Sequence, residues 1–329
     1  MLFLYYNMPL VPTPNCKLCA ILGFVMSPQS FENQKKAHTW PLMLDGRILR
    51  DEGIVRLKKI IAASGKKPTL AIIQVGELQE SKAYIERKKN FAKSIGAAVR
   101  HIKLPVAVTE DELLEIIREL NTDSAVDGII VQLPIPKNLN RDKIIDAIDL
   151  AKDVDGLTSE NKKLFESGDP RAVVPAAAKG VLSLLRFYKI PVAGKKVTVI
   201  GRSQLVGAPI ATLLRREAAY VTVCHRQMTN TAELSRAADI LVAAAGSPKL
   251  VTKDYVSKGQ TVIDVGINSI EGVKFEEEIP KRRLVGDVDF QSVKDIVGAI
   301  SPVPGGVGPM TVLSLFENLL DACEQLQNP

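Results

Sequence analysis

From Leu44 onward, apolar residues recur along the chain in two alternating rhythms. Leu49, Ile54, Leu57, Ile60 and Ile61 fall at helical spacing, and Gly65 and Pro68 end the run. Residues 70–75 form a continuous apolar stretch of strand length. Residues 81–95 read as a helix closed by Gly96, and 99–104 as a strand. Thr109-Glu110-Asp111-Glu112 has the form of a capping box and opens a helix to Leu120. Another buried-type strand covers 126–132, ended by Pro134 and Pro136, and a helix runs through 144–148. A long helix spans 175–188, and Pro191 and Gly194 mark a boundary. Strands at 197–200, 221–224, 240–244 and 261–265 then alternate with helices, and a last helix covers 311–325. Strand and helix in strict alternation predict an α/β layer structure with parallel sheets.

A chain of 329 residues predicts two such units. Hydrophobic residues at 46% and charged residues at 24% give ample material for a core and exclude wholesale disorder. Lys and Arg total 43 against 37 Asp and Glu, a net charge of +6. The excess is spread out, with short clusters such as Arg87-Lys88-Lys89, and fits a small anionic ligand. Motifs for nucleic-acid binding are absent. Four Cys form no disulfide framework, and Cys16 and Cys19 make a lone CxxC pair without further ligands, so no metal is expected. The apolar run 18–26 is far shorter than a membrane span. Residues 1–42 read as a poorly structured extension, with Met8, Met26 and Met43 as alternative starts, and the expected compartment is the cytoplasm.

Four segments carry candidate chemistry. Residues 197–209 read as strand, tight turn and helix start, with Gly201, Ser203 and Gly207 in a GxSxxxG spacing. That is either an ordinary βα turn or a pyrophosphate-binding turn. The next strand ends Cys224-His225-Arg226, without the carboxylate that would hold a ribose 2′-hydroxyl. Arg226, and Arg202 beside the turn, are candidates for a 2′-phosphate, which favours NADP over NAD; the bland alternative is a solvated cation. Ser81, Tyr84 and Lys88 share one helix face, with Arg87 and Lys89 expected to point elsewhere. Val131-Gln132-Leu133 ends a buried strand, where sites of α/β folds gather, and Lys152-Asp153-Val154-Asp155-Gly156 places two carboxylates in a turn. The stretch 301–311 is so rich in Gly and Pro, Pro304 and Gly305 among them, that it reads either as backbone pressed against a ligand or as a rigid turn.

Taken in order, SxxYxxxK, VQLPxP, KDVDG, GRSxxVGxP, DVGIN (264–268), GDV (286–288) and PVPGGVGPMT (302–311) closely resemble the bifunctional methylenetetrahydrofolate dehydrogenase/methenyltetrahydrofolate cyclohydrolase family. The resemblance runs from Leu44 to the final helix. It implies a folate-binding catalytic domain (43–178, completed by a C-terminal helix at 311–329) and a Rossmann-type NADP-binding domain (179–310), with the active site in the cleft between them. It also implies a homodimer and a small folate substrate, while the motif search and the short apolar run already argue for no nucleic-acid or membrane partner. By position, Lys88 matches the catalytic lysine, Tyr84 the residue packing on the folate, Gln132 the partner tuning that lysine, and Asp155 the group binding the pterin. Ser81, Val131, Leu133, Pro304 and Gly305 are the accompanying substrate residues. Gly201, Arg202, Ser203 and Ile267 match cofactor contacts, and Arg226 joins them.

The implied activity is NADP-dependent oxidation of 5,10-methylenetetrahydrofolate, then hydrolysis of the methenyl product to 10-formyltetrahydrofolate. The chain departs from the family at Pro175-Ala176-Ala177-Ala178-Lys179-Gly180, where PCTPKG is common, and at Arg226, where a Ser is usual. The first departure motivates an alternative, a cyclohydrolase with weak or no dehydrogenase activity. A noncatalytic folate- or NADP-binding protein is the other alternative.

Overall fold

The computed structural model describes residues 41–270 and 283–326. The expected extension up to Trp40, with Cys16 and Cys19, lies outside these residues. The chain enters through a short strand, β1 (Leu42–Met43), and helix α1 (Gly46–Ser64). Asp45 caps α1 by accepting from the amide of Arg47, and Gly65 ends it in the left-handed region. There follow β2 (Thr69–Val75), α2 (Gln79–Ile95), β3 (Ala98–Leu104), α3 (Glu110–Thr122) and β4 (Gly128–Val131). The capping box of α3 is formed: Thr109 Oγ1 accepts from the amide of Glu112, and Glu112 Oε2 accepts from the amide of Thr109. These strands make a parallel sheet in the order β3-β2-β4. Two helices, α4 (Arg141–Asp146) and α5 (Ser159–Ser167), complete this half.

Helix α6 (Ala176–Phe187) leads into the second half. It contains β5 (Lys196–Ile200), α7 (Gly207–Arg216), β6 (Tyr220–Cys224), α8 (Thr231–Arg236), β7 (Ile240–Ala243) and β8 (Thr261–Asp264). A hairpin of β9 (Asn268–Ile270) and β10 (Arg283–Val285) follows, then α9 (Phe290–Val293), β11 (Ala299–Ile300) and α10 (Val307–Gln325). The large sheet is parallel throughout, in the order β1-β11-β8-β7-β5-β6.

Both sheets present alternate residues to one shared core. Leu70 and Ile72 of β2, Val197 and Val199 of β5, and Ile240 and Val242 of β7 all pack into the cluster that holds α6 and α10. Ala71, Ile73 and Val75 face the opposite way, onto Leu113 and Ile117 of α3. Likewise Leu241 and Ala243 face the outer core of the large sheet. Close approach of α10 depends on small residues. A Cβ on Gly53 would lie 2.5 Å from Leu313, and one on Gly180 would lie 3.1 Å from Met310. Phe91 stacks on Phe316 with centroids 5.0 Å apart and ties α2 to α10.

Three details differ from the sequence reading. Leu42 and Met43, where the extension was expected to give way to the folate half, form the edge strand of the large sheet, paired with Ala299 and Ile300. A boundary between 178 and 179 would fall inside α6. Helix α10 begins at Val307 rather than Thr311. Its first turn carries Gly308 and Pro309, which read as loop in a sequence, yet proline costs no hydrogen bond there.

Candidate active site

Helix α2 and the exit of β4 build the first cluster. After β4 the ladder continues for one more bond, from the amide of Gln132 to Ile73 O at 2.8 Å. This fixes Gln132 at the strand's C-terminal end. Its side chain is then locked: Nε2 donates to Leu133 O at 2.9 Å, which leaves Oε1 to accept from Lys88 Nζ at 3.0 Å. Val131 is buried, Leu133 half-buried, and the Leu133–Pro134 bond is cis. On α2, Ser81 is buried and Tyr84 and Lys88 are half-buried, so the predicted stripe does face inward. The hydroxyl of Tyr84 is buried with no hydrogen-bond partner. Arg87, expected elsewhere, reaches back along the helix and places its guanidinium carbon 5.4 Å from the Tyr84 ring centroid. Lys89 pairs with Glu86.

The turn after residue 152 separates two carboxylates that local pattern alone does not tell apart, though the family resemblance singles out Asp155. Asp153 is 2% exposed. It accepts from the amides of Gly156 (2.9 Å), Leu157 (3.1 Å) and Thr158 (2.8 Å). Lys152 is also buried, donating to Leu120 O and Asp123 O at the end of α3. Both residues are turn builders. Asp155 is left facing Lys88 electrostatically. Burial holds the lysine below its ordinary range, and the Asp155 charge pulls it partly back. Burial pushes Asp155 up, and Lys88 opposes that.

The second cluster lies at the C-terminal edge of the large sheet. Gly201 leaves β5 with φ 113°, and a Cβ there would lie 2.0 Å from Ala244 O. A Cβ on Gly207 would lie 2.1 Å from Gly201 O. The turn therefore closes only with glycine at both positions. Ser203 O and Oγ accept from the amides of Ala208 and Gly207, which starts α7. Arg202 and Ser203 are exposed on this turn, and Arg226 is exposed beyond the end of β6. Ile267 is 43% exposed just before β9. The donor set of the turn and its two exposed guanidinium groups fits a dinucleotide that carries an extra phosphate. Among the described residues no group of three or more His, Cys, Asp or Glu is placed to hold a metal ion.

The loop before α10 packs against α1. Gly305 has φ 116°, its carbonyl accepts from the amide of Gly46 at 2.9 Å, and a Cβ on it would lie 3.4 Å from Arg47 Nε. Pro304 follows a cis bond and is exposed.

Two family models match the chain: the catalytic domain of tetrahydrofolate dehydrogenase/cyclohydrolase over residues 44–155, and its NAD(P)-binding domain over 175–327. The chain belongs to the tetrahydrofolate dehydrogenase/cyclohydrolase family. The bifunctional protein FolD of Acholeplasma laidlawii is 43% identical over 279 residues, 84% of this chain and 96% of that protein. A solved structure of the Trypanosoma brucei N5,N10-methylenetetrahydrofolate dehydrogenase-cyclohydrolase, complexed with NADP cofactor and an inhibitor, superposes with a TM-score of 0.83 at 34% identity. It covers 88% of this chain and 99% of its own. The 5,10-methylenetetrahydrofolate dehydrogenase of Bombyx mori gives 0.80 at 38% identity, covering 88% and 100%. Members of this family thus carry both of the halves seen here.

Lys88, Gln132, Tyr84 and Asp155 come together in the first half, and Gly201, Arg202 and Ser203 in the second. Sequence reasoning missed Asp264 and Asp287 as structural partners. Both are buried, and Asp287 N donates to Asp264 Oδ1 at 2.9 Å. Burial, with the Asp287 charge adding to it, pushes Asp264 up to about 7 against the amides that pull it down. The available signal was the pair of segments 264–268 and 286–288, each with an Asp within two residues of a Gly.

Proposed function

We propose that Lys88 is the acid/base of a bifunctional enzyme that oxidises 5,10-methylenetetrahydrofolate with NADP and hydrolyses the methenyl product to 10-formyltetrahydrofolate. The observation that carries this reading is the 3.0 Å contact between Lys88 Nζ and Gln132 Oε1 beside Asp155. NADP, when bound, accepts the hydride removed from the methylene carbon. The cation that results is stabilised by its nitrogens, so this chain's task in that step is to hold the two reactants in register. Hydrolysis is different, because the attacking water must lose both its protons as its oxygen becomes the formyl oxygen, one going to the departing nitrogen and the other to solvent. A lysine held below its ordinary range by burial takes the first proton as neutral amine and returns it as ammonium. Gln132, locked by Leu133 O, keeps the lysine nitrogen in place.

Tyr84 offers a ring and an unsatisfied buried hydroxyl to the folate, and Asp155 a carboxylate to the pterin. Ser81, Val131, Leu133, Pro304 and Gly305 line the substrate's path in this reading. Gly201, Arg202, Ser203, Arg226 and Ile267 hold the dinucleotide. In this reading the protein is a homodimer, as the family resemblance implies, and it works in the cytoplasm. β6 supports the dimer: it is an edge strand of the large sheet with Tyr220 72% exposed. No helix among the described residues is long and apolar enough to cross a membrane.

The test is to mix the purified protein with 5,10-methylenetetrahydrofolate and NADP and follow NADPH, methenyl- and 10-formyltetrahydrofolate together. NADPH with accelerated 10-formyl product is expected. NADPH without accelerated hydrolysis, or neither product, contradicts the reading.

A further inference from the structure

Two buried carboxylates in the nucleotide half have no role in the chemistry above. Asp287 is fully buried and makes four bonds. Its Oδ2 accepts from the amides of Ala245 (2.6 Å) and Gly246 (2.8 Å). Its Oδ1 accepts from the amide of Ser247 (2.9 Å) and from Asn268 Nδ2 (2.9 Å). Asp264 seats Asp287 in turn. Its Oδ1 accepts from the amides of Gly266 (3.0 Å) and Asp287 (2.9 Å), and its Oδ2 from the amide of Val288 (3.0 Å). The fit leaves no slack, since a Cβ on Gly286 would lie 1.7 Å from Asp264 Oδ2 and one on Gly266 would lie 2.3 Å from Asp287 Cγ.

The segments tied together are the ones that border the dinucleotide turn. Residues 245–247 follow directly on Ala244, whose carbonyl presses against Gly201. Gly266 and Asn268 flank the exposed Ile267 on both sides, one held by Asp264 and the other by Asp287. A buried charge satisfied by several amides is costly to disturb, so it fixes those amides in one arrangement. We infer that Asp287, seated by Asp264, is a positioning residue for the dehydrogenase step: it locks the loop after β7 and the loop after β8 into one surface against the Gly201 turn. That surface sets where Ile267 meets the dinucleotide. The inference rests on the NADP-dependent reading proposed above. It adds residues that touch neither reactant.

Two variants test it, Asp287→Asn and the milder Asn268→Ala, which removes one donor and leaves the amide contacts in place. For each, NADP binding is measured by calorimetry, KM and kcat for NADP reduction are separated, and hydrolysis of added methenyltetrahydrofolate, which needs no nucleotide, is followed in parallel. Loss of a bond to a buried charge predicts a rise of about tenfold or more in KM and Kd for NADP in Asp287→Asn. Asn268→Ala shifts both in the same direction by less, with kcat changing less than KM and hydrolysis at the parent rate. If Asp287→Asn does not fold, Asn268→Ala carries the test. Unchanged NADP affinity in a folded variant, or both activities falling together with thermal stability, overturns the positioning role. A parent protein that neither binds nor reduces NADP overturns the functional reading itself, and the positioning role with it.

Discussion

Each half of this molecule holds a pair of aspartates, and their bonding separates construction from chemistry. In the nucleotide half, Asp264 and Asp287 both spend their oxygens on backbone amides. In the folate half the pair divides its labour. Asp153 is saturated by three amides, whereas Asp155, two residues on, couples electrostatically to the half-buried Lys88. The same residue type in the same motif thus builds a turn in one case and tunes a lysine in the other. A carboxylate filled by amides fixes backbone, and one whose nearest opposite charge is a buried amine is available to a ligand or a proton. The Tyr84 hydroxyl, buried and unpartnered, marks the folate half as the side where polar groups await a substrate.

Substitution at the two positions of the KDVDG turn breaks this comparison most forcefully. Asp153→Ala orphans three amides, two of them buried, and is expected to destabilise the fold by on the order of 3 kcal/mol. Asp155→Asn removes a charge whose burial is itself unfavourable and should leave stability within about 1 kcal/mol of the parent. Chemical denaturation of both variants checks the contrast, and equal losses would erase it.

The pH profile of hydrolysis sharpens the same contrast. Activity should rise as Lys88 loses its proton, with an inflection below the ordinary lysine value of 10.5 because burial disfavours the ammonium. Asp155 opposes that effect, so in Asp155→Asn the ammonium loses its support and the inflection moves to lower pH. A shift to higher pH, or none, would show that the two groups are not coupled. The smallest effect is expected in the nucleotide half. Arg226→Ser removes an exposed cation at the end of β6 and should cut the preference for NADP over NAD by about tenfold or less, read from the ratio of kcat/KM values.

The sequence made most of the frame legible because its signals are local. The apolar runs of β2 and β4, the capping box of α3 and the glycine ending α2 each act within a few residues, and each is where it was expected. The pairing of Lys88 with Gln132 joins residues 44 positions apart. No periodicity could show that, and only the ordered motifs pointed to it. Helix α5 and the β9–β10 hairpin escaped notice because they are short and carry no sustained apolar rhythm. The difference between Asp153 and Asp155 was legible only through the family resemblance, and local pattern missed it for another reason. It depends on which carboxylate the turn bends toward its own amides, and that is settled only once Gly156 adopts φ 72°.

The central claim is that the proton work of hydrolysis belongs to Lys88 while hydride transfer needs only positioning. Lys88→Met, given 5,10-methylenetetrahydrofolate and NADP, tests it in one reaction. The account predicts a folded protein that still forms NADPH but accumulates methenyltetrahydrofolate, with hydrolysis reduced by about 10²–10⁴-fold. If 10-formyltetrahydrofolate keeps appearing at the parent rate, Lys88 is not the acid/base, and the account is wrong at its centre.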